Sequence, residues 1–175
     1  VGFVDVLGFS ALTKQFPGTM TIEVGEDHST LTAGTSISAQ RFGHFHAILD
    51  QVAADQADAS HPERMMIFSD YVFAVYENAL QAIVSLAQLM RRCVGGGIPV
   101  RMGIAKGTCH FQRFGIDSVE FFSVTRAMFY GTGIVYSTEA EKHGGRGCRM
   151  FLHPSIGLDD LNLIQGRYRT LPLST

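Results

Sequence analysis

Two segments of this chain run an apolar, strand-forming stretch straight into a carboxylate. Val1 to Leu7 is continuous and rich in β-branched residues, and it carries Asp5 just before Gly8-Phe9-Ser10. Met65-Met66-Ile67-Phe68 runs in the same way into Ser69-Asp70. A short continuous apolar run reads as a buried strand. Two such strands in one sheet set their carboxylates side by side. A carboxylate pair suits hard divalent cations, which take oxygen ligands. The glycine and hydroxyl after the first acid suit a turn whose N–H groups meet phosphate. The pattern points to metal-assisted chemistry on a nucleotide.

At 175 residues the chain is expected to form one domain over 1–175, with an irregular, Thr- and Gly-rich insertion at about 17–34. A net charge of −2 gives no electrostatic footprint for DNA or RNA, so nucleic acid is not an expected partner. Cys93, Cys109 and Cys148 are odd in number and form no C-x-x-C pair. A reducing, cytoplasmic setting fits them best. No apolar run reaches membrane-spanning length, so no membrane contact is expected. The chain opens without Met inside a strand-like run, and its start is expected to be trimmed.

Periodicity gives the element order. After the first strand, Gly8 to Phe16 reads as a short helix stopped by Pro17-Gly18. The insertion has room for one small strand at Met20–Val24. Phe42, Phe45, Ile48, Leu49 and Val52 sit at helical spacing with an apolar face inward. Met65–Phe68 and Tyr71–Tyr76 form a hairpin pattern. Ser69-Asp70 is not a favoured hairpin turn, which suggests another job for Asp70. Asn78 is a suitable N-cap for a helix carrying Leu80, Ile83, Val84, Ala87 and Met90, ended by Gly95-Gly96-Gly97.

Pro99–Ala105 alternates as a half-buried strand, and Lys106-Gly107 is expected to turn it into Thr108–Phe111 as a second hairpin. Val119–Val124 reads as a further strand, Gly131 to about His143 as a helix, and Gly147–Leu152 as a last strand. An edge strand is expected near Arg167–Leu171. Strand hairpins interleaved with helices give an α+β fold of the ferredoxin-like type, an antiparallel or mixed sheet with helices on one face.

Several other patterns carry no chemistry. His44 and His46 are two apart on a helix and face different ways. Cys109 and His110 are adjacent on a strand and point to opposite faces. Gly131-Thr132-Gly133 has no following Lys-Ser/Thr and is not a P-loop. No G-x-S-x-G element supports serine hydrolysis.

Four segments in order resemble the class III nucleotidyl cyclases. Phe3-Val4-Asp5-Val6-Leu7-Gly8-Phe9-Ser10 resembles the first metal motif, F-x-D-[IV]-x-G-F-[ST]. Phe68-Ser69-Asp70 resembles the second, usually Gly-Asp. Val100 to Gly107 is similar to the R-x-G-I-x-x-G hairpin, and Tyr130 to Glu141 to the helix that follows, [WY]-G-x-x-[VI]…E. The resemblance spans Val1 to Leu152. It implies a class III cyclase fold and a homodimer with sites at the interface. Asp5 and Asp70 would be the catalytic, metal-binding acids for two Mg²⁺ or Mn²⁺ ions per site, with the Val6 backbone carbonyl as a further ligand. Leu7, Gly8, Phe9 and Ser10 would bind the triphosphate.

The departures are as informative. Met66 stands where purine cyclases carry a base-reading Lys, and Met128 where they carry an acid. Val135 and Glu139 stand in place of the late-helix Asn and Arg, and Arg167 and Arg169 are alternatives for the missing triphosphate contact. The Asp5 to Asp70 interval is longer than typical, as the insertion after Pro17 explains. Methionines cannot pair a purine edge, and an unpaired buried donor or acceptor costs ~1–3 kcal/mol. The combination resembles the bacterial pyrimidine cyclases of the Pycsar anti-phage system. That implies cyclic UMP or cyclic CMP made from a nucleoside triphosphate, read by a downstream effector in abortive infection. Arg64 and Arg126 flank the methionines and can only donate. Uracil presents acceptors at O2 and O4, so UTP is favoured over CTP. The competing readings are an adenylate or guanylate cyclase with an altered pocket, and an inactive pseudo-cyclase.

Overall fold

The computed structural model describes residues 1–16, 20–24, 29–33, 37–55, 64–68, 70–119, 122–160 and 162. In chain order the elements are β1 (Gly2–Val6), α1 (Phe9–Gln15), β2 (Met20–Val24), β3 (Ser29–Ala33), α2 (Ile37–Asp55), β4 (Arg64–Ile67) and β5 (Tyr71–Val75). Then come α3 (Ala79–Gly95), β6 (Val100–Ile104), β7 (His110–Val119), β8 (Phe122–Tyr130), α4 (Thr132–His143) and β9 (Met150–Leu152). The fold is mixed α+β. Among the described residues no helix is long and apolar enough to cross a membrane.

The continuous apolar run at the start of the chain becomes the middle strand of a five-stranded sheet, ordered β4-β5-β1-β6-β9. A central strand is covered on both faces, which is why its residues do not alternate with polar ones. Its pairings with β5 and β6 are antiparallel, whereas β9 joins β6 in parallel, so the sheet is mixed. Val4, Val72, Val100 and Met102 point to one face and form a core with Phe45, Ile48 and Leu49 of α2 and Leu86, Leu89 and Cys93 of α3. The Asn78 side chain caps α3 by accepting the Gln81 N–H at 2.9 Å, as its residue type suggests.

The helices do not share one face, contrary to the expectation from element order. Gly103 lies between Met102 and Ile104 on β6 and so points away from α2 and α3. A Cβ there would collide with the Ser137 carbonyl oxygen and the Glu141 N–H of α4. The missing side chain lets α4 sit directly on the opposite face of the sheet. Phe3, Met66 and Phe73 form a second, aromatic cluster on that face, joined by Phe68, Tyr71 and Phe129.

Two further expectations change. Pro99–Ala105 does not fold back on Thr108–Phe111, because β1 and β9 already occupy both edges of β6. The chain leaves the sheet after Ala105 and pairs β7 with β8 as a separate two-stranded ribbon, from His110↔Tyr130 to Ile116↔Val124 and, after a shift of register, at Val119↔Phe122. Val119–Val124 therefore spans the end of the ribbon rather than one strand. No Gly, Pro or Asn marks a turn there. The ribbon is clasped to α4 at its base. The Thr108 N–H donates to Thr132 Oγ1 at 3.1 Å, the Thr132 N–H donates to Thr108 Oγ1 at 3.2 Å, and the Gly133 N–H donates to the Thr108 carbonyl at 3.0 Å. In the insertion, Met20–Val24 is a strand as expected, and Ser29–Ala33 pairs with it antiparallel. The edge strand expected at Arg167–Leu171 lies outside the described residues.

Candidate metal and nucleotide site

The site is built where three strands meet. Asp5 sits on β1 opposite Tyr71 of β5 and opposite Arg101 of β6. Asp70 directly precedes β5. The Val6 N–H donates to the Asp70 carbonyl at 2.9 Å, and the Phe68 N–H donates to the Tyr71 carbonyl at 2.9 Å. The bend at Asp70 thus closes the β4–β5 hairpin and is tied to the strand that carries Asp5.

Both carboxylates are half-buried. Burial pushes the Asp5 carboxyl up from the usual range to about 6, and the negative charges of Glu141 and then Asp70 push the same way. The Arg101 guanidinium opposes them and is outweighed. The carboxylate of Asp5 is therefore held where its charge lacks a full partner. That arrangement favours a cation arriving from solution.

Arg101 and Glu141 were legible only as members of quoted motifs, and together they form the best-defined ionic contact of the site. The Arg101 Nε and Nη2 groups both reach Glu141 Oε1, and Nη1 donates to the Gly145 carbonyl at 3.1 Å. The Glu141 side chain is 4% exposed. Gly103 brings α4 close enough to deliver it.

The phosphate turn differs in part from expectation. Gly8 adopts a left-handed φ of 75°, which favours glycine, and α1 starts at the next residue. The Leu7 N–H, however, donates to the Pro99 carbonyl at 2.9 Å and is committed to the fold. Of Leu7, Gly8, Phe9 and Ser10, only the last three amides remain at the opening turn of α1. A cavity of about 200 Å³ beside this turn is lined by Gly8, Phe9, Leu12, Arg41 and Pro99. Arg41 donates to the Gly97 carbonyl from the α2 side.

The expected base pocket does not assemble as one unit. Met66 is 7% exposed and packs with Phe3 and Phe73, so it offers little surface to a base. Met128 is 53% exposed and lies on the ribbon face opposite Phe129. Arg64 lies with its guanidinium 4.7 Å from the centre of the Phe111 ring. It lines a cavity of about 460 Å³ with Cys109, His110, Gln112 and Tyr130. Arg126 stands opposite Phe114 in the ribbon register, and its side chain lies outside the described residues. Val135 and Glu139 are half-exposed on α4. Arg167 and Arg169 also lie outside the described residues.

The donor set tests which metal fits. Among the described residues no group of three or more His, Cys, Asp and Glu side chains comes together as a cage. Two carboxylates and neighbouring backbone carbonyls are all-oxygen donors. They suit a hard cation such as Mg²⁺ or Mn²⁺, and not a zinc site. No family model, curated protein or solved structure matches the chain.

Proposed function

We propose that this chain is the catalytic domain of a class III nucleotidyl cyclase that converts a pyrimidine triphosphate, UTP in preference to CTP, to its 3′,5′-cyclic monophosphate and pyrophosphate. The observation that carries the reading is the seating of Asp5 and Asp70 together at the ends of adjacent strands, joined through the Val6 N–H to Asp70 carbonyl bond of 2.9 Å. The strand order β4-β5-β1-β6, with a helix after β1 and another after β5, supports a ferredoxin-like core to which β9 is added.

Asp5 and Asp70, with the Val6 carbonyl, would hold Mg²⁺ or Mn²⁺. The metal would supply charge neutralisation on the triphosphate and acidify the ribose 3′-hydroxyl. The chain's own part is positioning. The sheet fixes the two acids, the Gly8 turn presents the Phe9 and Ser10 amides, and the aromatic cluster shields one side from water.

Arg64 lies roughly 13 Å along and 10 Å across the sheet from Asp5, counting ~3.3 Å per residue and ~4.8 Å per strand. The resemblance implies a homodimer with sites at its interface. The product would act as a second messenger in cytoplasmic anti-phage signalling, read by a separate effector.

A nucleoside triphosphate panel with Mn²⁺, read by mass spectrometry, tests the proposal. Cyclic UMP or cyclic CMP is the expected product; cyclic AMP alone would end the pyrimidine reading. The half-exposed Val135 and Glu139, where the resemblance expects Asn and Arg, favour a second reading, a pseudo-cyclase that binds nucleotide without turnover. No cyclic product from any triphosphate would establish that reading.

A further inference from the structure

Asp70 sits on the bend of the β4–β5 hairpin, and β4 is the outermost strand of the described sheet. Strand pairing therefore supports this hairpin from one side only. Rings add to that support. Phe68 and Tyr71 flank the bend and stack on each other, with ring centres 4.6 Å apart and planes 20° from parallel. Phe129 lies against Phe68 at 5.2 Å and against Phe73 of β5 at 5.4 Å. It is half-buried and comes from β8, and among the described residues no strand pairing joins the β7–β8 ribbon to the five-stranded sheet. The ring of Phe129 is a side-chain bridge from the ribbon to the hairpin that carries Asp70.

We propose that Phe129 is a positioning residue: it braces Phe68 from the ribbon and, through Phe68, fixes the bend that carries Asp70. This rests on the metal reading above. Two backbone bonds shape the bend, from the Phe68 N–H to the Tyr71 carbonyl and from the Val6 N–H to the Asp70 carbonyl, both at 2.9 Å. A connecting bend still moves more readily than the strands it joins. Phosphoryl transfer depends almost entirely on positioning and charge, and a misplacement of about 1 Å can cost ~10²-fold in rate. Aromatic rings suit the task. They bring a large apolar contact on few rotatable bonds, and paired rings attract beyond the area they bury. Phe129 touches the hairpin at Phe68 and Phe73 and not the acid itself, so its influence on the chemistry passes through Phe68.

Steady-state rates of the whole chain with Mn²⁺ and UTP, or whichever triphosphate the wild type turns over, test the inference. Phe129→Ala is expected to lower kcat by about tenfold or more, with KM within about twofold of wild type. Phe68→Ala is expected to lower kcat to a similar extent. In the double variant the second substitution should cost less than about twofold, since Phe129 acts through Phe68. Leu86→Ala, which loosens the opposite face of the sheet, is expected to keep kcat within about twofold. Circular dichroism checks folding. Where Phe129→Ala does not fold, Phe129→Leu keeps apolar bulk without the flat ring, and it is expected to lose about threefold in kcat. Wild-type kcat in a folded Phe129→Ala, or in Phe129→Leu where that variant replaces it, overturns the inference. So do multiplying losses in the double variant, or an equal loss in Leu86→Ala, and each of these leaves the metal reading standing. A wild-type chain that forms no cyclic product, or an Asp70→Ala variant with undiminished product, overturns both.

Discussion

On one side of the central sheet, Val4, Val72, Val100 and Met102 pack into an apolar core with α2 and α3. On the other side, the same strands carry Asp5, Tyr71, Arg101 and Gly103. Alternation along a strand sends neighbouring residues to opposite faces, so Val4 and Asp5 serve different layers though they are bonded to each other. The apolar face supplies stability without chemistry. The polar face carries groups whose burial costs stability. A half-buried carboxyl near a second and a third carboxylate is unfavourable for folding.

That contrast can be broken in several ways. The largest effect is expected on the polar face. Asp5→Ala or Asp70→Ala should lower cyclic-nucleotide production by about 10³-fold or more, since the lost charge stabilisation is worth several kcal/mol. Both variants should still melt cooperatively. Unchanged product formation in either would remove the metal assignment. The apolar face should respond in the opposite sense. Leu86→Ala, at a fully covered position of α3, should cost about 2–5 kcal/mol in chemical denaturation and leave product identity unaltered.

Gly103→Ala tests the seam between the faces. The added methyl must push α4 off the sheet, which should cost about 1–3 kcal/mol and disturb the Arg101–Glu141 pair. A fully stable, fully active Gly103→Ala would show that α4 need not sit so close.

A smaller effect follows from Asp5. Its folded-state carboxyl titrates at about 6, above the unfolded value of 3.8. The folded state therefore holds the proton more tightly. The resulting stabilisation is complete below the unfolded value and is lost as pH rises through about 6. Metal-free Asp5→Asn should consequently be more stable than wild type at pH 7.5, by about 1 kcal/mol after discounting for solvent access, with no gain at pH 3.5. Denaturation in EDTA at the two pH values checks this. The smallest effect belongs to a local contact. Asn78→Ala removes a helix cap and should cost about 1 kcal/mol with no change in activity.

Much of the apolar architecture was legible because it is periodic. The spacing of Phe45, Ile48, Leu49 and Val52 gave α2, and the Asn78 cap and the glycine run bounded α3. The burial of β1 followed from an apolar run that does not alternate. Asp70 stood out because Ser69-Asp70 is not a favoured two-residue hairpin turn. What escaped was long-range. β9 was legible as a strand, but which neighbours take the edges of β6 is decided by its parallel pairing with β6, which local pattern does not register. The side of the sheet that α4 chooses is set by a missing Cβ at Gly103, and periodicity does not register a missing atom. The Arg101–Glu141 contact joins residues 40 positions apart, and only topology brings them together.

The clasp between Thr108 and Thr132 has a mechanical consequence. The β7–β8 ribbon is joined to the body at one end, and the clasp fastens that end to the first turn of α4. At ~3.3 Å per residue, the ten residues of β7 make an arm roughly 30 Å long. A rotation of about 5° at its root displaces the far end by about 3 Å over that length. The same root turns with the helix that carries Glu141. The clasp thus links the pose of the ribbon to that of the helix packed over β1 and β6.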